Sequence, residues 1–121
     1  MKKILIAEDE AVLQDALQKV FVAEGYEVEH AFDGEEALSK IRSTKPDLIL
    51  LDLIMPKKHG FEVLQEIKAD EELKRIPVLV LTNLEESEDV MRAIELGARG
   101  YLIKANYALK EVLSKVKEVL G

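Results

Sequence analysis

The stretch Ile49–Gly60, ILLDLIMPKKHG, carries a single carboxylate, Asp52, at the end of an oily run. Sequence that is apolar almost throughout belongs in the middle of a sheet covered on both faces. A charge there is costly unless it has a partner. The fold and the function both turn on what Asp52 meets.

Outward from this stretch, short apolar runs alternate with amphipathic segments. Strands are expected at Lys3 to Ala7, Glu27 to Ala31, Leu48 to Asp52, Val78 to Thr82 and Gly100 to Lys104. Between them the apolar residues switch to helical spacing, as in Leu13, Ala16, Leu17, Val20, Phe21 and in Leu109, Val112, Leu113, Val116, Val119, Leu120. Asp33 with Glu36 marks a helix start, Gly25 and Gly97 stand where helix ends want a left-handed residue, and Pro46 and Pro77 each precede a strand. Five strands alternating with five helices give a doubly wound α/β fold, a parallel sheet with right-handed crossovers.

The bulk numbers suit that reading. A chain of 121 residues is one domain, residues 1–121, with a proper core. It is 48% hydrophobic and 34% charged, the balance of a soluble globule, and its longest apolar runs are far short of a membrane span. Glu8, Asp9 and Glu10 cut off the apolar start too early for a signal peptide, so a cytoplasmic location is the expectation. The absence of cysteine excludes disulfides and thiolate sites, leaving oxygen or histidine to hold any metal. A net charge of −7 with dispersed Lys and Arg argues against direct nucleic-acid binding and for a protein partner.

In an open parallel sheet, ligands bind beyond the carboxyl ends of the strands, where the strand order reverses. The residues at those ends are Glu8 and Asp9, then Asp52, Thr82 and Lys104. Neighbouring strands ending in Asp9 and Asp52, with Glu8 beside them, bring like charges together and call for a cation. Hard oxygen donors without His or Cys select Mg²⁺ or Ca²⁺, and a site of few carboxylates suits Mg²⁺ better. A carboxylate, Mg²⁺, the Lys104 ammonium and the Thr82 hydroxyl make a kit for phosphoryl transfer onto Asp52. Taken singly each residue is weak, since an acid after a strand is often only a helix cap and Thr82 could cap the next helix. Their coincidence at the strand ends carries the reading.

These residues resemble the receiver domain of two-component response regulators over essentially the whole chain. The resemblance rests on ILIAEDE with Glu8 and Asp9, LILLDLIMPKKHG with Asp52, Met55, Pro56 and Gly60, VLVLTN with Thr82, and GARGYLIKA with Gly97, Tyr101 and Lys104. It implies the flavodoxin-like (βα)5 sandwich with strand order 2-1-3-4-5. A histidine kinase or histidine phosphotransfer protein would donate the phosphoryl group to Asp52, with Mg²⁺ held by Asp9, Asp52 and the Ile54 backbone carbonyl, and by Glu8 through a water. Thr82 and Tyr101 would be the switch, Thr82 moving toward the phosphoryl group and Tyr101 turning inward. The face built from the fourth helix, fifth strand and fifth helix would then engage a downstream protein or form a phosphorylation-dependent homodimer. Such a domain is a phosphoacceptor that assists its own modification and slow autodephosphorylation rather than an enzyme. With the last helix ending at Gly121, no output domain is expected, which leaves a stand-alone regulator or a receiver cut from a longer chain.

Three departures from the pattern stand out. The lysine is usually followed by proline across a cis peptide, but Lys104 precedes Ala105. A cis bond without proline costs ~3 kcal/mol, so this loop is either trans or strained. Asn83 occupies a position that is generally small. Ile54 and Leu84 are expected to flank the route of an attacking water, and their apolar character points to a long-lived phosphoryl-aspartate. His30 and His59 lack a second ligand at metal spacing and are expected at the surface.

Rival readings share parts of this pattern. A flavodoxin-like cofactor binder would offer Ser, Thr and Gly amides in its first loop, where this chain has Glu8, Asp9 and Glu10. A phosphatase of the haloacid dehalogenase type needs a second acid two residues after the nucleophile, and that position is Ile54. A degenerate receiver serving only as a scaffold is opposed by the intact acids and Lys104.

Overall fold

The computed structural model describes all of residues 1–121. Five strands, β1 (Lys3–Ala7), β2 (Glu27–Ala31), β3 (Leu48–Leu51), β4 (Val78–Thr82) and β5 (Gly100–Ile103), alternate with helices α1 (Ala11–Ala23), α2 (Gly34–Thr44), α3 (Gly60–Ala69), α4 (Ser87–Glu95) and α5 (Leu109–Leu120). All pairings are parallel, and the order is β2-β1-β3-β4-β5. The fold is the expected flavodoxin-like sandwich. Asp52 and Lys104 stand one residue beyond their strands rather than inside them, which frees their side chains to point past the sheet edge.

The apolar runs follow from the layering. Leu5, Ala7, Ile49, Leu51, Val78 and Val80 face α2, α3 and α4, while Ile4, Ile6, Leu48, Leu50, Leu79 and Leu81 face α1 and α5. With both faces covered, neither set of alternate residues can be polar. Each fully buried Leu, Ile or Phe contributes about 1.5–3 kcal/mol relative to exposure, and most of β1, β3 and β4 is buried to this degree.

Local signals place the helix ends. Asp33 caps α2, its Oδ1 accepting from the Glu36 N–H at 2.8 Å, while Glu36 Oε1 reaches back to the Phe32 N–H at 2.7 Å. Gly25 and Gly97 follow α1 and α4 at φ of 97° and 100°, values that a side chain would oppose. No helix is long and apolar enough to cross a membrane.

The two histidines lie half-buried at the surface. His59 precedes α3 with its ring stacked on Phe61 and its Nδ1 accepting the Phe61 N–H at 3.2 Å. His30 packs edge-on against Phe32, and its carbonyl takes the Lys40 ammonium at 2.6 Å.

Candidate functional site

The order of connection reverses between β1 and β3, so the crevice outside their carboxyl ends is where such a sheet binds ligands. Hydrogen bonds fix both strand exits there. The Glu8 N–H donates to the Ala31 carbonyl at 3.0 Å, and the Asp52 N–H donates to the Ala7 carbonyl at 3.0 Å.

Asp52, only 5% exposed, meets Lys104. The Lys104 ammonium lies 2.8 Å from Asp52 Oδ2, 2.7 Å from Glu8 Oε1 and 3.5 Å from Glu10 Oε1. The other Asp52 oxygen, Oδ1, accepts from the Ile54 N–H at 3.1 Å. Both polar ends of the Asp52 carboxylate are therefore held, and its burial is compensated by a charge-assisted bond.

The electrostatics are those of an acid-rich crevice short of positive charge. Burial pushes the Glu8 carboxyl up to about 7, against the Lys104 and Glu10 hydrogen bonds, with Asp52 adding repulsion. Burial alone would lower the Lys104 ammonium, but its bonds to Asp52 and Glu8 outweigh that and raise it. Glu8, Asp9 and Asp52 can each bring a carboxylate oxygen within 4.8 Å of the others. Glu8, Glu10 and Asp52 share one ammonium with Asp9 beside them, and the donors are hard oxygens with no His or Cys in the group. That donor set fits Mg²⁺.

The crevice is a pocket of about 190 Å³ lined by Asp9, Glu10, Asp52, Ile54, Asn83 and Lys104. Thr82, at the end of β4, is fully buried, its Oγ1 accepting from the Leu84 N–H at 3.5 Å. Because α4 starts only at Ser87 after Glu86, Thr82 does not cap it. Tyr101 is half-buried against the core below α4, and its hydroxyl donates to the Leu84 carbonyl at 2.9 Å. Burial, then the carboxylates of Asp89 and Asp52, push that hydroxyl up to about 12.

The structure thus brings Glu8, Asp9, Asp52 and Lys104 together, while Thr82 and Tyr101 both bond the backbone of Leu84, through its N–H and its carbonyl. Leu84 and Ile54 border different grooves. The Leu84 side chain packs toward the core and lines a groove with His59, Phe61, Glu62, Asp89 and Arg92, while Ile54 borders the acidic pocket. Every peptide bond is trans, including Lys104-Ala105, which opens a short 3-10 turn over Lys104–Asn106.

Sequence reasoning missed two residues. Glu10 reads as an ordinary acid near a helix start, yet its carboxylate reaches Lys104. Gln14 is 1% exposed, on the inward stripe with Leu17 and Phe21. A glutamine at i with apolar residues at i+3 and i+7 was the available signal.

Residues 4–117 match the response regulator receiver domain family, and the chain belongs to it. It is 40% identical over 119 residues to the alkaline phosphatase synthesis transcriptional regulatory protein PhoP of Bacillus subtilis, covering 98% of this chain and 48% of PhoP. The chain spans about half the length of the curated relatives it matches. The fold matches the chemotaxis response regulator CheY4 of Vibrio cholerae with a TM-score of 0.91 and 32% identity, covering 99% of each chain. It also matches the phosphorylated cyanobacterial phytochrome response regulator RcpA, with a TM-score of 0.84 and 37% identity, over 98% of this chain and 90% of that one. The protein is a receiver domain of two-component response regulators.

Proposed function

We propose that Asp52 is the phosphoacceptor and that a histidine kinase or histidine phosphotransfer protein is the donor. The observation that carries this is the Lys104 ammonium bridging Asp52 and Glu8 at 2.8 and 2.7 Å beside a third carboxylate. The similarity to a phosphorylated response regulator, RcpA, supports it.

In the transfer, an Asp52 carboxylate oxygen forms the new O–P bond as the P–N bond to the donor histidine breaks, and the imidazole leaves with the bond's electron pair and takes up a proton. The product is an aspartyl phosphate. Lys104 neutralises charge on the phosphoryl oxygens, and Thr82 donates its hydroxyl to one of them once it leaves the Leu84 N–H. Mg²⁺, held by Asp9, Asp52 and the Ile54 carbonyl and by Glu8 through a water, would supply the remaining counter-charge.

Movement of Thr82 shifts Leu84, the acceptor of the Tyr101 hydroxyl, so added charge at Asp52 is read out at β5. The face of α4, β5 and α5 then engages a downstream protein or a second copy. The domain assists its own phosphorylation and slow autodephosphorylation without turning over a substrate, and it works in the cytoplasm.

The test is intact-protein mass after incubation with acetyl phosphate, with and without Mg²⁺, beside Asp52→Asn. The expected result is a Mg²⁺-dependent gain of one phosphoryl group that the variant lacks. A gain that persists in Asp52→Asn would overturn the assignment.

A further inference from the structure

The buried polar residue with no part in the chemistry above is Gln14. It lies in the first turns of α1, its backbone N–H donating to the Glu10 carbonyl at 2.9 Å. Its side-chain amide turns back toward the sheet. Nε2 lies 3.0 Å from the Ile6 carbonyl, 3.2 Å from the Glu8 carbonyl and 3.2 Å from the Ala31 carbonyl.

These partners fix the orientation of the amide. Three carbonyl oxygens converge on one end of the side chain, and only the NH₂ end can face them. The opposite end, Oε1, looks toward Gln18 Nε2 at 3.5 Å. The Ala31 carbonyl also takes the Glu8 N–H at 3.0 Å, so a single amide joins the ends of β1 and β2 to the loop that leaves them.

The loop so held is Glu8-Asp9-Glu10, which carries all of the acids that β1 contributes to the site. Gln14 grips it at both ends, by side chain at the Glu8 carbonyl and by backbone at the Glu10 carbonyl. Between these points the Glu10 N–H donates to Glu8 Oε2 at 2.9 Å, which turns the Glu8 carboxylate toward Lys104. A neutral donor suits this place, since it satisfies carbonyls without pairing with the acids.

We infer that Gln14 is a positioning residue for the metal site, setting Mg²⁺ affinity by holding the Glu8-Asp9-Glu10 loop in place without touching the ion. This rests on the acids being the Mg²⁺ site proposed above. Groups that orient metal ligands from behind typically change affinity by about 10–100-fold when removed.

Gln14→Met keeps the length and removes the donors, and Gln14→Glu keeps the shape and turns the donors into acceptors. A distant core variant, Val116→Ala, controls for general destabilisation. Mg²⁺ affinity is read by NMR titration, and amide hydrogen exchange at Glu8 and Glu10 is read in the metal-free proteins. The expectation is a Kd for Mg²⁺ raised by about tenfold or more in Gln14→Met and further in Gln14→Glu. Exchange at Glu8 and Glu10 should quicken beyond that of Val116→Ala. Acetyl phosphate kinetics should need more Mg²⁺ for half-maximal rate yet recover the wild-type rate at saturation. Wild-type Kd or unchanged Glu8 and Glu10 exchange in Gln14→Met overturns the inference. If Gln14→Met does not fold, Gln14→Asn, which is too short to reach all three carbonyls, stands under the same criteria. A wild-type protein that binds no Mg²⁺ would sink the metal reading alone, and the exchange data would still decide whether Gln14 holds the loop.

Discussion

The Tyr101 hydroxyl donates to the Leu84 carbonyl at 2.9 Å, tying β5 to the loop that leaves Thr82. Leu84 also donates its N–H to Thr82 Oγ1 at 3.5 Å, so Leu84 touches both side chains. In Tyr101→Phe the ring remains and the Leu84 carbonyl loses its donor, which should cost about 0.5–1.5 kcal/mol in urea unfolding. The hydroxyl is raised from 10.0 to about 12 by burial and by Asp89 and Asp52. With the folded value above the unfolded one, the neutral phenol stabilises the fold fully below pH 10 and that contribution is lost as pH rises toward 12. The wild type should therefore lose stability across this window more steeply than Tyr101→Phe. Parallel curves would mean the hydroxyl is not held as described.

Lys104→Met leaves Asp52 and Glu8 facing each other without their shared ammonium. Phosphorylation by acetyl phosphate at saturating Mg²⁺ should slow by about 100-fold, the usual effect of deleting one preorganised donor. Mg²⁺ should bind at least as tightly, because a competing cation has been removed. Loss of Mg²⁺ binding together with rate would show that Lys104 organises the acids rather than serving the transfer.

Gly60 begins α3 against the backbone of Asp52 and Leu53. A Cβ there would lie 2.4 Å from Leu53 Cα and 2.7 Å from the Asp52 carbonyl oxygen, both backbone atoms that cannot swing aside. Gly60→Ala should cost about 1–3 kcal/mol by overpacking, read by thermal unfolding. It should also slow phosphorylation, since the backbone of Asp52 must shift to make room. A variant as stable as wild type would place this contact wrongly.

At the opposite end of the β2 exit, Asp33 supplies the α2 cap, and Asp33→Ala should cost about 1 kcal/mol at pH 7. The Glu36 N–H holds the Asp33 carboxyl below its ordinary 3.8, with Lys57 assisting against burial. A depressed folded value means the contribution is present above pH 3.8 and fades as pH falls through the lower folded value. Chemical denaturation should show the gap between Asp33→Ala and wild type closing in acid. A gap that is constant with pH would assign the effect to something other than the charged cap.

The strands and the acids were legible for the same reason. Burial on both faces makes β1, β3 and β4 apolar without alternation, so a polar residue at a strand end stands out. Asp33, Gly25 and Gly97 were legible because capping is local chemistry. What escaped depends on where a loop side chain points, which no local pattern encodes. Leu84 follows Thr82 by two residues, yet its side chain turns to the groove beside Phe61 and leaves its carbonyl for Tyr101. Gln14 was hidden because its partners are carbonyls of β1, β2 and the intervening loop, brought together only by the fold.

That difference between Leu84 and Ile54 separates two ways of controlling how long a phosphoryl group survives. Ile54 is 50% exposed and borders the pocket that holds Asp52, so it can exclude a water approaching the phosphorus. Leu84 lies half-buried toward the core and lines the other groove. Ile54→Asn should shorten the lifetime of the phosphorylated protein several-fold, followed by loss of the phosphoryl group from intact mass after removal of the donor. Leu84→Glu should leave the lifetime nearly unchanged while destabilising the fold, because it forces a charge into an apolar contact. If Leu84→Glu hastened dephosphorylation as much as Ile54→Asn, the loop would have to turn its side chain into the acidic pocket in the phosphorylated state. The Tyr101 hydroxyl would then have to follow the Leu84 carbonyl or lose it.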